Sequence, residues 1–155
     1  MRIGNSNVFH VAAILALLLV LTYPAHAADV TVSNGWFRAL PPSVPSGGYF
    51  TLHNGGKTTA ILTDVESPAC AAMMMHQTTA SGMDHVMALD IRAGEDMVFA
   101  PGGYHLMLME LNAQVREGDK VPLTLGFEDK AGKRFTVDVQ ATARALTTAM
   151  PHSKH

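Results

Sequence analysis

The chain is short of the residue types that most often carry chemistry. It has one cysteine, Cys70, one tryptophan, and only 15% charged residues in its 155 positions. A single cysteine excludes an intrachain disulfide framework. Eleven Lys and Arg stand against 13 Asp and Glu, for a formal net charge of −2, which is not the basic balance of a nucleic-acid binder. The acidic residues are scattered, with no paired carboxylate site. There is no Ser-His-Asp arrangement, no phosphate-cradling glycine loop and no HExxH motif, so the sequence reads as that of a non-enzyme. No stretch keeps a helical period, and no internal repeat or interdomain linker divides the chain. The longest apolar run, Val11 to Leu21, is about 11 residues, whereas a membrane-spanning helix needs roughly 20.

That run has a purpose of a different kind. Arg2 gives a positive start, and Ala25-His26-Ala27 is a small-x-small cleavage site. This is the pattern of a secretory signal peptide cut after Ala27, with release into the periplasm and no stable membrane insertion afterwards. Cys70 is far from the cleavage site, so no lipid-attachment cysteine is present there. Removing residues 1–27 takes away one cation, Arg2, and no acidic residue, so the formal charge moves from −2 to −3. Residues 28–146 then make one domain, with 147–155 as a polar, flexible tail.

The domain reads as all-β. Strand-like segments run from Val30 to Leu40, Tyr49 to His53, Thr59 to Val65, Ala71 to His76 and Val86 to Ile91. Further segments are Asp96 to Ala100, Tyr104 to Leu111, Val121 to Phe127 and Arg134 to Thr142. Turn residues such as Asn54-Gly55-Gly56, Pro101-Gly102-Gly103 and Lys130-Ala131-Gly132-Lys133 separate them, at the spacing of a β-sandwich or barrel.

What the sequence has in excess is methionine. Eight of its 10 methionines lie between Met73 and Met109, together with His76, His85 and His105. Methionine is a flexible filler of apolar cores, and Met97 beside Val98 and Phe99 fits that role. Strand parity separates the others. One face of Tyr104 to Leu111 carries Tyr104, Leu106, Leu108 and Glu110, and the other His105, Met107, Met109 and Leu111. The leucines of the first face serve the core, which leaves an imidazole beside thioethers on the second. The same parity places Met74 with His76. Soft thioether sulfur suits Cu(I), and imidazole accepts Cu(I), Cu(II) or Zn(II). A zinc site would normally add thiolate or carboxylate, and calcium or magnesium would want oxygen. Cu(I) is therefore the expected ion.

The run Pro101-Gly102-Gly103-Tyr104-His105-Leu106-Met107-Leu108 closely resembles the PGGYHLML segment of the periplasmic PCuAC copper chaperones. Trp36-Phe37-Arg38-Ala39 resembles the WxRA segment of that family. Gly48-Tyr49-Phe50-Thr51-Leu52-His53-Asn54 is similar to its GYxTLxN segment, and Glu117-Gly118-Asp119 opens a stretch similar to its EGDxVxLTL strand. The resemblance implies a cupredoxin-like Greek-key β-sandwich or barrel with a surface Cu(I) site. It also implies delivery of copper to the binuclear centre of cytochrome c oxidase subunit II, directly or through a Sco-type thioredoxin-fold protein. The family pattern of a His, ten residues, a Met, 21 residues and His-x-Met carries over to His76, His105 and Met107. The remaining ligand stays open. Counting forward from His76 reaches Met87, and counting back from His105 reaches Met83, as a four-residue deletion would produce. Met83, beside Gly82, is favoured as a loop ligand able to bend toward the site, and Met87 is expected to begin the strand ending at Ile91. His85 is either a spare exchange ligand or a solvated loop histidine.

Two further possibilities follow from the residues. Met150, His152 and His155 in the tail resemble a metal-binding extension that would take Cu(II). His53, Cys70, His76 and Met83 have the residue types of a type 1 copper electron-transfer site, although Cys70 followed by two alanines reads as a buried apolar residue. Copper storage or scavenging is the other alternative to delivery.

Overall fold

A computed structural model describes residues 29–145. The expected leader, 1–27, and the expected tail ligands Met150, His152 and His155 lie outside the described residues. Ten strands form: β1 (Val30–Arg38), β2 (Ser46–Asn54), β3 (Ala60–Glu66), β4 (Cys70–Thr79), β5 (Gly82–Val86), β6 (Leu89–Ile91), β7 (Asp96–Phe99), β8 (Tyr104–Leu111), β9 (Lys120–Asp129) and β10 (Arg134–Arg144). They make one sheet in the order β5-β4-β8-β7-β2-β1-β10-β9-β3-β6. The two end strands, β5 and β6, are joined by Met87 and Ala88 alone. The sheet therefore curls back on itself into a nearly closed, cupredoxin-like barrel, and the all-β expectation holds.

Alternation builds the core. On β9, Val121, Leu123, Leu125 and Phe127 point inward while the residues between them face out. Leu52, Leu62, Ile91, Leu106 and Leu108 are fully enclosed, and the rings of Phe50 and Phe99 stack at 4.4 Å. Each such side chain contributes roughly 1.5–3 kcal/mol by leaving water.

Three differences from the expected strands have local causes. The segment Val86 to Ile91 is two strands, β5 and β6, broken at Met87 and Ala88 where the chain crosses between sheet ends. The mixed pattern of Val30 to Leu40 comes from a bulge in β1 between Ser33 and Trp36. There Asn34 takes a φ of 55°, a left-handed conformation that asparagine tolerates. Leu111 does not share the outward face of His105 and Met107. Glu110 adopts a φ of 52°, which reverses the parity, so Glu110 faces solvent and Leu111 enters the core.

At the other end of the barrel, buried Asn54 fastens three segments. Its Nδ2 donates to the carbonyls of Thr58 at 2.8 Å and Ile91 at 2.9 Å. Its Oδ1 accepts from the Gly56 N–H at 3.0 Å. Truncation would leave these backbone groups without their side-chain partner, the Ile91 carbonyl in a buried position. Asn54→Ala is expected to lower unfolding free energy by about 2–4 kcal/mol, since each orphaned buried group costs about 1–3 kcal/mol. Urea denaturation checks this, and a loss below about 1 kcal/mol would show that water replaces the amide.

Candidate metal centre

The centre is built on β4 and its two neighbours, β5 and β8. On the β8 side, His76 lies directly opposite His105 and Met74 directly opposite Met107. Two imidazoles and two thioethers thus form adjacent cross-strand pairs on one face, where directly opposed side chains start about 5 Å apart. On the β5 side, His76 lies directly opposite His85, and Thr78 opposite Met83. Three imidazoles therefore run across three strands in a row. Their ring centroids are 5.6 Å apart from His85 to His76 and 5.8 Å from His76 to His105.

Burial grades along the row. His105 is only 7% exposed, His76 is half-buried and His85 is exposed. The turn Pro101-Gly102-Gly103 positions His105. The Gly103 carbonyl accepts the Thr78 N–H at 3.1 Å and lies 3.1 Å from His105 Nδ1. A carbonyl can only accept, so Nδ1 carries the proton and Nε2 presents its lone pair, the outer-shell arrangement typical of a metal-ligating histidine. His76 shows a complementary sign. Its Nδ1 is buried and has no hydrogen-bond partner, a condition that costs about 1–3 kcal/mol unless something supplies one. A metal ion would supply it.

Among the described residues, no three His, Cys, Asp or Glu side chains converge on a common point. An ion on this face that takes all its ligands from the protein would complete its shell with thioether sulfur, which favours a soft ion. Met107 and Met74 are half-buried, while Met83 and Met87 are 58% and 74% exposed. Two expectations need correction here. Met83 is not in a loop but on β5, diagonal to His76, where a long side chain still reaches its neighbour. Met87 does not begin a strand but occupies the bend after β5. Met74, read from the sequence only as sharing a face with His76, emerges as a third thioether candidate because it is paired with Met107. The signal for it was present in the parity of β4, and only the pairing of β4 with β8 gave it a partner.

The electron-transfer arrangement is contradicted by distance. Five residues of β4 lie between Cys70 and His76, six steps or about 20 Å along an extended strand, so the two cannot hold one ion. Cys70 is buried, its thiol pushed up by that burial against the lowering effect of backbone N–H groups. His53 is engaged elsewhere, with Nδ1 at 2.6 Å from Asp96.

This face on this barrel defines the class: a PCuAC-type domain. The copper-bound PCuAC domain from PmoF2 shares the fold at a TM-score of 0.63 and 24% identity, over 76% of this chain and 93% of that one. The Cu(I) form of DR1885 from Deinococcus radiodurans is 31% identical, with a TM-score of 0.60 over 77% of this chain and 81% of that one. The chain belongs to the LpqE-like family, described as "Putative lipoprotein LpqE-like", which it matches over residues 30–141. A relative in Leifsonia xyli subsp. xyli, named "Putative lipoprotein Lxx21020", is 32% identical over 123 residues, 76% of this chain and 74% of that one.

Burial first, then the nearby His105 and His85, hold the His76 imidazole below its usual 6.5. The folded chain without copper thus binds fewer protons than the unfolded chain between that lowered value and 6.5. Stability contributed by neutral His76 is full above 6.5 and declines as pH falls below it toward the lowered value. Urea midpoints at pH 7.5 and pH 5 should show this decline, and His76→Gln should make it shallower. An equal decline in both proteins would place the titrating group elsewhere.

Proposed function

We propose that this protein is an exported Cu(I)-binding metallochaperone. One Cu(I) is bound by His76, His105 and Met107, with one further thioether. The observation that carries this reading is the paired array on β4 and β8, with a buried unpartnered nitrogen on His76 and Nε2 of His105 left free. The Cu(I) form of a 31% identical relative supports the same ion. Neutral ligands suit a monovalent ion, and thioethers cannot be lost to disulfide formation. The lipoprotein names of the relatives support export, in keeping with the leader ending at Ala27. Cys70, the sole cysteine, is buried on β4 and serves no lipid attachment.

The fourth ligand is Met83 rather than Met87. Met83 keeps the 21-residue interval to His105 of the resembled pattern, as a four-residue deletion in the loop after His76 would leave it. Met83 also stays within the ladder, whereas Met87 lies beyond its end. Met83→Leu is expected to weaken Cu(I) about tenfold or more, with Met87→Leu near wild type. Leucine retains most of the volume, so packing changes stay below about 1.5 kcal/mol. Competition with a Cu(I) chelator ranks the variants, and Met74→Leu belongs in the same series. A larger effect at Met74 or Met87 would reassign the ligand.

Delivery is the functional step. A nanomolar to picomolar site holds its ion by about 12–16 kcal/mol, so unaided release is slow. Transfer must go through ligand exchange with an acceptor, here the copper domain of cytochrome c oxidase subunit II or a Sco-type thioredoxin-fold protein. When Cu(I)-loaded protein is mixed with either apo acceptor, the transfer rate should rise with acceptor concentration. Transfer to both at only the spontaneous dissociation rate would make the protein a copper store or scavenger.

A further inference from the structure

We propose that the histidine row forms two overlapping copper positions that share His76 and Met83: an inner one completed by His105 and Met107, and an outer one completed by His85. The proposal rests on the Cu(I) reading above and adds a residue, His85, and an exit route to it.

Ring spacing makes both positions feasible. With metal–nitrogen bonds of about 2.0 Å, two imidazoles on one ion have centroids roughly 6 Å apart at most. The observed 5.8 Å for His76 and His105 and 5.6 Å for His76 and His85 both fall within that reach. His85 and His105 sit on strands that flank β4 on opposite sides, roughly 10 Å apart at the usual strand spacing, and among the described residues the three imidazoles do not converge on one point. The row is therefore two pairs with a common member and holds one ion at a time.

The two positions differ in access. The inner pair includes His105, 7% exposed and tethered to Gly103. The outer pair lies on β5, an end strand of the sheet, and offers exposed His85 with Met83 at 58% exposure. Met83 and His85 are two residues apart on one face of β5, both adjacent to His76 across the ladder. An ion can exchange His105 and Met107 for His85 while His76 and Met83 stay bound. That step carries it from a sheltered site to one an acceptor can touch. Neither the oxidation state nor any covalent bond of the protein changes.

The test uses the full chain loaded with one equivalent of Cu(I) and the chelator bathocuproine disulfonate. His85→Gln alters an exposed side chain on an end strand. It should still bind one Cu(I) but surrender it about tenfold more slowly, equivalent to about 1.4 kcal/mol in the barrier. His105→Gln should retain weaker binding through the outer pair, with X-ray absorption reporting both nitrogen and sulfur neighbours. Adding His85→Gln to it should then weaken binding at least about tenfold further. Release from His85→Gln at the wild-type rate would overturn the outer position, as would a double variant that binds like His105→Gln. Absence of Cu(I) binding by the wild-type protein is a separate outcome that would overturn the copper reading itself.

Discussion

Everything at the centre depends on the register between β4 and β8. A slip of one residue would turn His105 and Met107 into the core and bring Leu106 and Leu108 to the surface. Two local devices hold the pairing. The Gly103 carbonyl ties the start of β8 to Thr78 of β4 and orients His105 at the same time. At the far end, Glu110 reverses parity so that Leu111 is anchored inside opposite Cys70. Between these fixed points the outward positions are free of packing duty, and imidazole and thioether occupy them.

The division of labour along β8 is the reason the site was so legible in the sequence. Leucine alternates with His, Met and Met from His105 to Met109, and a strand with period two has only one way to satisfy that pattern. The strand bounds of β8 were read to the residue, and parity alone put His105 with Met107 and Met74 with His76, each pair on one face of its own strand. Legibility failed where the pattern depends on backbone rather than side chain. Glu110 carries no mark of its left-handed conformation, so Leu111 was put on the wrong face. The break at Met87 and Ala88 was invisible because apolar residues run on through it, and the cue that separates β5 from β6 is the closing curvature of the sheet. Pairing across strands distant in the chain was equally hidden, which is why Met74 gained its partner only from the structure.

The centre also reconciles two opposed demands. Tight holding asks for ligands fixed before the ion arrives, and release asks for ligands that can let go. The fixed elements, His105 and the Gly103 turn, are on an interior strand flanked by β4 and by β2 and β7. The loose elements, Met83 and His85, are on a strand with one neighbour. Burial thus declines in one direction across three strands, from His105 through His76 to His85, and the gradient follows from sheet position.

The two end strands have a further consequence for the molecule among its copies. An unpaired strand edge invites a second chain to add itself, and a metal-binding edge would be doubly exposed to that hazard. Here β5 has five residues and β6 three, and each carries an aspartate at its centre, Asp84 and Asp90. Two such edges brought together would set carboxylates near one another over too few hydrogen bonds to compensate. The same end-strand position that leaves His85 open to solvent thus offers a second copy few hydrogen bonds and a carboxylate to approach.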